Sequence, residues 1–424
     1  MIRNLKDQSL TVKIIIAFSL GAVSGLLIKS MPDSSLLKDL LINECLYISS
    51  QLFVSSLKML VVPMVFVSLV CGVLNLKSMS KIGRLGGKTL ALYLSTTAIA
   101  ISMAIGLALI FEPGAGFSLE LNPNFKDTPP PPIRDMIANI IPSNPFAAAA
   151  EGEMLQIIIF ALLSGAGISM AGNQGQKTAE LFHEMNVIIM KILALLLNVV
   201  PFGVFVLMCK VFAEQGTEAI RPLLAYCLLV SAALLIQLFI CYPALILFLS
   251  RLNPFLFLLK IRPVLMFAFS TASSNATIPL NLKVATEKLG VSRSVASFII
   301  PLGATINMDG TAIMQGIATV FIAQAYQIDL GLSDYLTVIL TATLASVGTA
   351  GAPGVGMITL MMVLRQAGLP FDGIGLIMGV DRILDMVRTA VNVAGDTVAA
   401  CIVAKSEGEL NMSEYQSPLS SSEI

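Results

Sequence analysis

Between positions 381 and 396 the chain carries three acids, two arginines, a threonine and an asparagine: Asp381, Arg382, Asp385, Arg388, Thr389, Asn392 and Asp396. On a helix advancing about 100° per residue, with Asp381 at 0°, Arg388 falls at about −20° and Asn392 at about 20°. Asp385, Asp396, Thr389 and Arg382 follow at about 40°, 60°, 80° and 100°. All seven share roughly a third of the circumference, and Ile383, Leu384, Val387, Ala390 and Val391 occupy the rest. Acids set this way can take an ammonium or a metal cation, and an arginine fork can grip a carboxylate with two hydrogen bonds. A purely structural alternative pairs Asp381 with Arg382 and Asp385 with Arg388 as internal ion pairs. Asp396 has no cation near it in sequence, which points to one from outside the chain.

A second acid raises the same question. Asn307-Met-Asp-Gly-Thr311 sets amide, carboxylate and hydroxyl oxygens around Gly310. That glycine would let a helix unwind there and free backbone carbonyls. Oxygens without His or Cys suit a hard alkali cation better than a transition metal. Tyr93, Thr96 and Thr97 form a further polar face at i, i+3, i+4. Hydroxyls in membrane helices commonly bond their own backbone, so this trio reads equally well as helix-internal.

The elements that carry these residues must lie in a membrane. Of 424 residues, 56% are apolar and 12% are charged, about half the charge of a soluble domain. The formal net charge is zero, which excludes an electrostatic footprint for nucleic acid. One histidine, and six cysteines with no C-x-x-C spacing, argue against zinc sites, disulfide frameworks and His-based triads. Apolar runs of about the 20 residues a span needs lie near 10–30, 47–74, 86–111, 155–171, 184–212 and 222–250. Arg3, Lys6 and Lys13 precede the first run, and no small-x-small site follows, so it reads as an uncleaved span. The basic cluster Lys77, Lys81, Arg84, Lys88 places that loop and the N-terminus in the cytoplasm. The segment Phe111 to Asp135, with its tetraproline 129–132, is then an extended outside loop.

From about 255 the pattern changes. Ser270-Thr-Ala-Ser-Ser-Asn-Ala-Thr-Ile-Pro279 interrupts one apolar segment, and Ser346-Val-Gly-Thr-Ala-Gly-Ala-Pro-Gly354 interrupts another. Irregular backbone at membrane depth is tolerated only where protein covers it or it lines a wet cavity, so both read as re-entrant hairpins. Each is followed by a helix with intramembrane acids. Paired broken segments in matching positions point to a transporter site at the midplane. Small-residue helix packing explains the glycines but leaves the acids unexplained.

Four motifs now stand in order: Ser270-Thr-Ala-Ser-Ser, Asn307-Met-Asp-Gly-Thr, Gly348-Thr-Ala-Gly-Ala-Pro-Gly, and Asp385-Met-Val-Arg-Thr-Ala-Val-Asn-Val-Ala-Gly-Asp396. Over about residues 8–405 the chain resembles the dicarboxylate/amino acid:cation symporter family, the glutamate transporters. The resemblance implies an all-α polytopic membrane protein with eight transmembrane helices, two re-entrant hairpins, inverted repeats and an elevator-type homotrimer. Residues 1–75 would be scaffold helices one and two, and 76–112 transport helix three. Residues 113–252 would hold the outside loop, scaffold helices four and five, and transport helix six. Residues 253–405 would be the transport core, and 406–424 a disordered cytoplasmic tail. The membrane implied is a bacterial inner membrane, with both termini cytoplasmic.

Site roles follow from the resemblance alone. Asp385 would take the substrate ammonium with Thr389 beside it, and Arg388, helped by Thr311, would hold the side-chain carboxylate. Asn392 and the amides of Ser274, Ala352 and Gly356 would hold the α-carboxylate, with Arg382 and Met308 supporting. About three sodium ions are implied. One would use Asp396, Asn307, Asn392 and the Gly303 carbonyl, and a second Tyr93, Thr96, Thr97, Asn307 and Asp309. A third would use carbonyls of Thr305, Ser346, Val347 and Thr349.

Departures from family patterns choose among branches. Ala272 stands where archaeal members carry arginine, and Arg382 resembles the animal arrangement. Proton-coupled bacterial relatives typically have Gly-Tyr-Ser-Phe-Asn and Gly-Asn where this chain has Gly303-Ala-Thr-Ile-Asn307 and Gly395-Asp396, which favours sodium. Carriers of C4-dicarboxylates lack an acid at the Asp385 position, so L-aspartate or L-glutamate is the expected cargo. Proton-coupled uptake and C4-dicarboxylate symport remain the alternatives within the class. An intramembrane aspartyl protease would gain nothing from Arg388, which would hold one acid ionised. A passive anion channel would leave the acids without a task.

Overall fold

Chains this apolar satisfy their backbone amides within helices, and the computed structural model is helical throughout. It describes residues 10–32, 36–75, 83–119, 141–346, 351 and 354–417. Among them there is no β-strand, only an isolated bridge between Val291 and Leu410. Six stretches of the described residues are long and apolar enough to cross a membrane.

The first helices are α1 (Leu10–Lys29), α2 (Tyr47–Asn75), α3 (Gly83–Phe111), α4 (Met154–Met170) and α5 (Gln176–Gln215). Helix α6 (Ile220–Ile236) runs on through two π-helical stretches, Gln237–Cys241 and Ile246–Ser250. Then come α7 (Pro254–Thr271), α8 (Ser274–Glu287), α9 (Arg293–Ile306) and α10 (Asp309–Ala325). Helices α11 (Leu332–Ser346), α12 (Val355–Gln366), α13 (Ile374–Glu407) and the short α14 (Met412–Gln416) complete the chain. The spans expected from apolar runs coincide with α1 to α6.

The helices pack as two sets. Helix α1 lies along α5, and α2 packs on both α4 and α5. The α1–α5 approach depends on Gly21 and Gly25, four residues apart. A methyl group on Gly21 would stand 2.5 Å from the Phe205 carbonyl oxygen, and one on Gly25 would meet that of Cys209. Small residues at this spacing let membrane helices touch backbone to backbone. The outer face of α1 carries Leu20, Val23 and Leu27, all exposed, as a lipid-facing surface would be.

The second set surrounds α13, against which α6, α7, α8, α9 and α10 all pack, while α3 packs on α10; α5 of the first set also lies against α13, and α2 against α12. Helix α13 is buried on nearly every side, so its polar third faces protein. Helices α7 and α8 are joined by Ala272, in the left-handed region at φ 48°, and Ser273, whose Oγ caps α8 by accepting the Ala276 N–H at 3.3 Å. Between α9 and α10 the chain unwinds at Asn307 and Met308.

Two sequence expectations need correction here. Gly310, read as the residue that permits unwinding, lies inside the first turn of α10. Its smallness serves close approach instead: a Cβ there would stand 2.7 Å from the Arg388 carbonyl oxygen. Residues 406–417 are not a disordered tail. They form the end of α13, a bridge to Val291 and helix α14, and Tyr415 is buried. The buried Lys260 ammonium of α7 donates to the carbonyls of Lys288, Glu414 and Tyr415 at 2.8, 2.7 and 2.7 Å. A desolvated ammonium needs such acceptors, and the returning chain supplies two of them. Residues 418–424, most of the outside loop with its tetraproline, and 76–82 lie outside the described residues.

Candidate functional site

The polar third of α13 divides into two groups along the helix axis. At the N-terminal end, Arg388 donates from Nη1 to Asp381 Oδ1 at 2.5 Å and from Nη2 to Asp385 Oδ1 at 2.7 Å. Arg382 Nη1 reaches Asp385 Oδ2 at 3.3 Å. Arg388 is 1% exposed, so its charge is balanced by these carboxylates rather than by water. The closest partner of Arg388 is thus Asp381, two turns away, and the expected Asp381/Arg382 pair gives way to Arg382 with Asp385. The helical-wheel offset of about 20° between Asp381 and Arg388 was the signal. Thr389 donates to the Asp385 carbonyl at 2.8 Å, a bond within its own helix.

Both interrupted segments converge here. Gly354 N–H, just ahead of α12, donates to Asp385 Oδ2 at 3.3 Å. A Cβ on Gly356 would stand 3.1 Å from Arg388 Nη2 and 3.3 Å from the Thr311 methyl, so glycine lets the start of α12 lie against the guanidinium. Gly351 O accepts from Ser273 Oγ at 3.0 Å and Asn275 N at 3.2 Å, which brings the α7–α8 turn, with buried Ser274, against the segment leading into α12. Ala352, Val347 and Thr349 lie outside the described residues.

One and two turns further along α13, Asn392 and Asp396 meet the α9–α10 break. Asn392 Oδ1 accepts the Gly310 N–H at 2.8 Å, and its Nδ2 donates to Met308 Sδ at 3.3 Å and Thr311 Oγ1 at 3.4 Å. Asp396 Oδ1 accepts Asn307 Nδ2 at 3.0 Å. Gly303 has room for neither a Cβ against Asp396 nor one against the Tyr93 hydroxyl. Its carbonyl accepts the Asn307 N–H at 2.8 Å. Tyr93 itself donates to the Ile299 carbonyl at 3.0 Å.

Asp309 is fully buried and held by four neutral donors. Thr97 and Thr96 hydroxyls reach Oδ1 at 2.6 and 3.3 Å, and Tyr242 OH and Gln237 Nε2 reach Oδ2 at 3.0 and 3.4 Å. The sequence reading found the α3 threonines and missed Gln237 and Tyr242. Their signal was present as two polar side chains in the apolar run 222–250, beside Pro243. A π-helical stretch, Gln237–Cys241, leads into Tyr242, and both side chains are buried.

Neither Asp309 nor Asp396 makes an ion pair among the described residues. Two buried amide oxygens nearby, Asn307 Oδ1 and Gln237 Oε1, have no hydrogen-bond partner. Unpaired buried charge and unpaired acceptors are each costly, and a desolvated cation would satisfy both. The donor set is all oxygen, which fits an alkali cation. Thr305 and Ser346 hydroxyls bond their own helices, to Leu302 O at 2.9 Å and Thr343 O at 2.7 Å.

Known proteins resemble the chain over most of its length. Residues 10–406 match the model of the Sodium:dicarboxylate symporter family. The chain is 36% identical over 369 residues to the proton/sodium-glutamate symport protein of Bacillus caldotenax, covering 85% of this chain and 87% of the relative. It is 33% identical over 417 residues to the proton/glutamate-aspartate symporter of Escherichia coli, covering 96% and 94%. It is 32% identical over 422 residues to the C4-dicarboxylate transport protein of Rhodospirillum rubrum, covering 95% and 90%.

Proposed function

Since the chain belongs to the sodium:dicarboxylate symporter family, a family of transporters rather than enzymes, we propose that it imports L-aspartate or L-glutamate, driven by sodium and the membrane potential. The observation that carries this reading is the division of the buried acids. Asp381 and Asp385 are balanced by arginines, whereas Asp309 and Asp396 have only neutral donors and lie beside unpartnered amide oxygens.

Arg388 is the carboxylate grip. A substrate side-chain carboxylate arriving beside the start of α12 would exchange with Asp385 for the guanidinium, and the released Asp385 would take the ammonium. An acidic amino acid is the cargo that satisfies both partners of that exchange. Asn392, Thr311, Thr389 and the amides of Ser274, Ala352 and Gly356 complete the pocket, supported by Arg382 and Met308. Sodium sites lie at Asp396 with Asn307, Asn392 and Gly303, and at Asp309 with Tyr93, Thr96, Thr97 and Asn307. A third uses carbonyls of Thr305, Ser346, Val347 and Thr349. Cation and substrate each lower the other's desolvation cost, a reciprocal coupling. With three sodium ions and one net anionic cargo, two charges cross. That contributes about 4.6 kcal/mol per 100 mV, roughly three decades of gradient.

The two packing sets support an elevator. Helices α1, α2, α4 and α5 are the scaffold of a homotrimer, and the set around α13, with the α7–α8 and α11–α12 hairpins, is the moving body. The protein belongs in a bacterial inner membrane with both termini cytoplasmic.

Proton coupling is the second reading, favoured by the names of the Bacillus caldotenax and Escherichia coli relatives. A protonated Asp309 would also be stable, since its O–H could find Gln237 Oε1. Labelled L-aspartate uptake into proteoliposomes separates the two. Uptake under an inward sodium gradient, abolished by sodium removal, supports the proposal. Uptake under a proton gradient without sodium overturns the cation assignment. No aspartate uptake under either gradient, with succinate carried, overturns the substrate.

A further inference from the structure

Tyr226 of α6 is fully buried, and its hydroxyl has no hydrogen-bond partner. A buried phenol normally finds one. Its ring centroid lies 5.1 Å from that of Phe321 in α10, and α6 packs on α13. The ionised side chains whose charges reach the hydroxyl are Asp381 and Arg388, and Asp381 also acts on the neighbouring Cys227. A second buried polar atom without a partner belongs to that pair itself, Arg388 Nε. An unsatisfied guanidinium N–H within the ion-paired cluster and an idle buried hydroxyl within reach of its charges mean that the present pairing leaves hydrogen-bonding capacity unused. A second arrangement of the cluster would use what this one leaves over.

Resting on the reading of Arg388 as the grip for the substrate carboxylate, we propose that Tyr226 is a positioning residue that receives Asp381 when Arg388 turns to the substrate. In the arrangement described, Asp381 and Asp385 together hold the guanidinium. A substrate carboxylate competes with both. Asp385 gains the substrate ammonium in exchange, but Asp381 gains nothing from the substrate and would be left a buried carboxylate with a weakened partner. The Tyr226 hydroxyl is the idle donor on the facing helix. By donating to Asp381 it lowers the cost of moving Arg388, and so favours cargo that has a side-chain carboxylate over cargo that has none.

The test is titration of L-aspartate and L-serine, in saturating sodium, into the detergent-solubilised full-length protein and its Tyr226→Phe, Asp381→Asn and doubly substituted forms. Tyr226→Phe removes one oxygen and leaves the ring on Phe321. Aspartate affinity should fall about tenfold, with sodium half-saturation unchanged. The preference for aspartate over serine should shrink accordingly. In the Asp381→Asn background the same change should have no further effect, because the hydroxyl acts only through that carboxylate. Unchanged aspartate affinity in Tyr226→Phe overturns the proposal, as does an equal loss in both backgrounds. A wild-type protein that binds no aspartate overturns the acidic amino acid reading itself, and this inference with it. Wild-type binding beside an unmoved Tyr226→Phe removes the tyrosine alone.

Discussion

The N-terminal half of the α13 stripe and the junction of α13 with the α9–α10 break hold buried carboxylates of the same chemistry in opposite circumstances. Asp381 and Asp385 sit with Arg388 and Arg382 at 2.5 to 3.3 Å. Asp309 and Asp396 sit among hydroxyls and amides, with no cation of the protein's own among the described residues. A buried charge without a partner costs several kcal/mol, and four neutral hydrogen bonds offset only part of that. The first region is therefore complete and must be disturbed by what it binds. The second is incomplete and is stabilised by what it binds. A symporter needs both kinds of site in contact, and Asn392 joins them. It lies one turn beyond Arg388 and before Asp396, and bonds across to Gly310 and Thr311.

Several substitutions would break or sharpen that contrast. Arg388→Ala removes the only fully buried cation of the first region and leaves two carboxylates facing each other. Loss of one partner from a buried pair costs about 3–5 kcal/mol, so aspartate binding should fall beyond a hundredfold by titration while neutral amino acids are retained or gained. Tight aspartate binding in this variant would end the role assigned to Arg388. Asp396→Asn should shift sodium half-saturation of uptake by tenfold or more, with aspartate affinity at saturating sodium moving much less. An unchanged sodium requirement would argue that no cation sits there.

Gly303→Ala forces a methyl group against Asp396 and to 2.5 Å from the Tyr93 hydroxyl. A several-fold loss in sodium affinity with little change in serine-against-aspartate preference is expected from the same measurements, and equal effects on both would mean that the two regions are not separable. Tyr242→Phe removes one hydrogen bond of 3.0 Å to Asp309. At about 1 kcal/mol for such a bond, sodium half-saturation should rise about fivefold. A drop instead would show that the hydroxyl competes with the cation rather than orienting its ligand.

Much of this was legible beforehand. The wheel of α13 placed its acids and arginines on one face because helical periodicity is local. The breaks near 270, 307 and 350 were visible because Ser, Thr, Asn and Gly cannot continue a lipid-facing helix unprotected. Within the stripe the Asp385–Arg388 pair is present at 2.7 Å, and Asp381 is a second partner of Arg388 that adjacent spacing does not suggest. Residues one or three apart in sequence drew attention, whereas Arg388 reaches back two turns to Asp381 because long side chains on a helix lean toward its N-terminus. Gln237 and Tyr242 were passed over because a polar residue in an apolar run says nothing of which helix it will face. The tail 406–417 was read as disordered from its polarity, yet its backbone carbonyls, which carry no sequence signal, are what bind Lys260.

Composition, apolar run length and helical period thus determined by themselves that this is a helical membrane protein with charge concentrated on its last long helix. Each depends on neighbours within a few residues. Which carboxylates would be neutralised and which left to recruit a cation was decided by the tertiary structure. That outcome depends on helices separated by up to about two hundred residues in sequence, such as α3 and α10 meeting at Asp309, where burial turns a hydroxyl or amide into the partner of a charge.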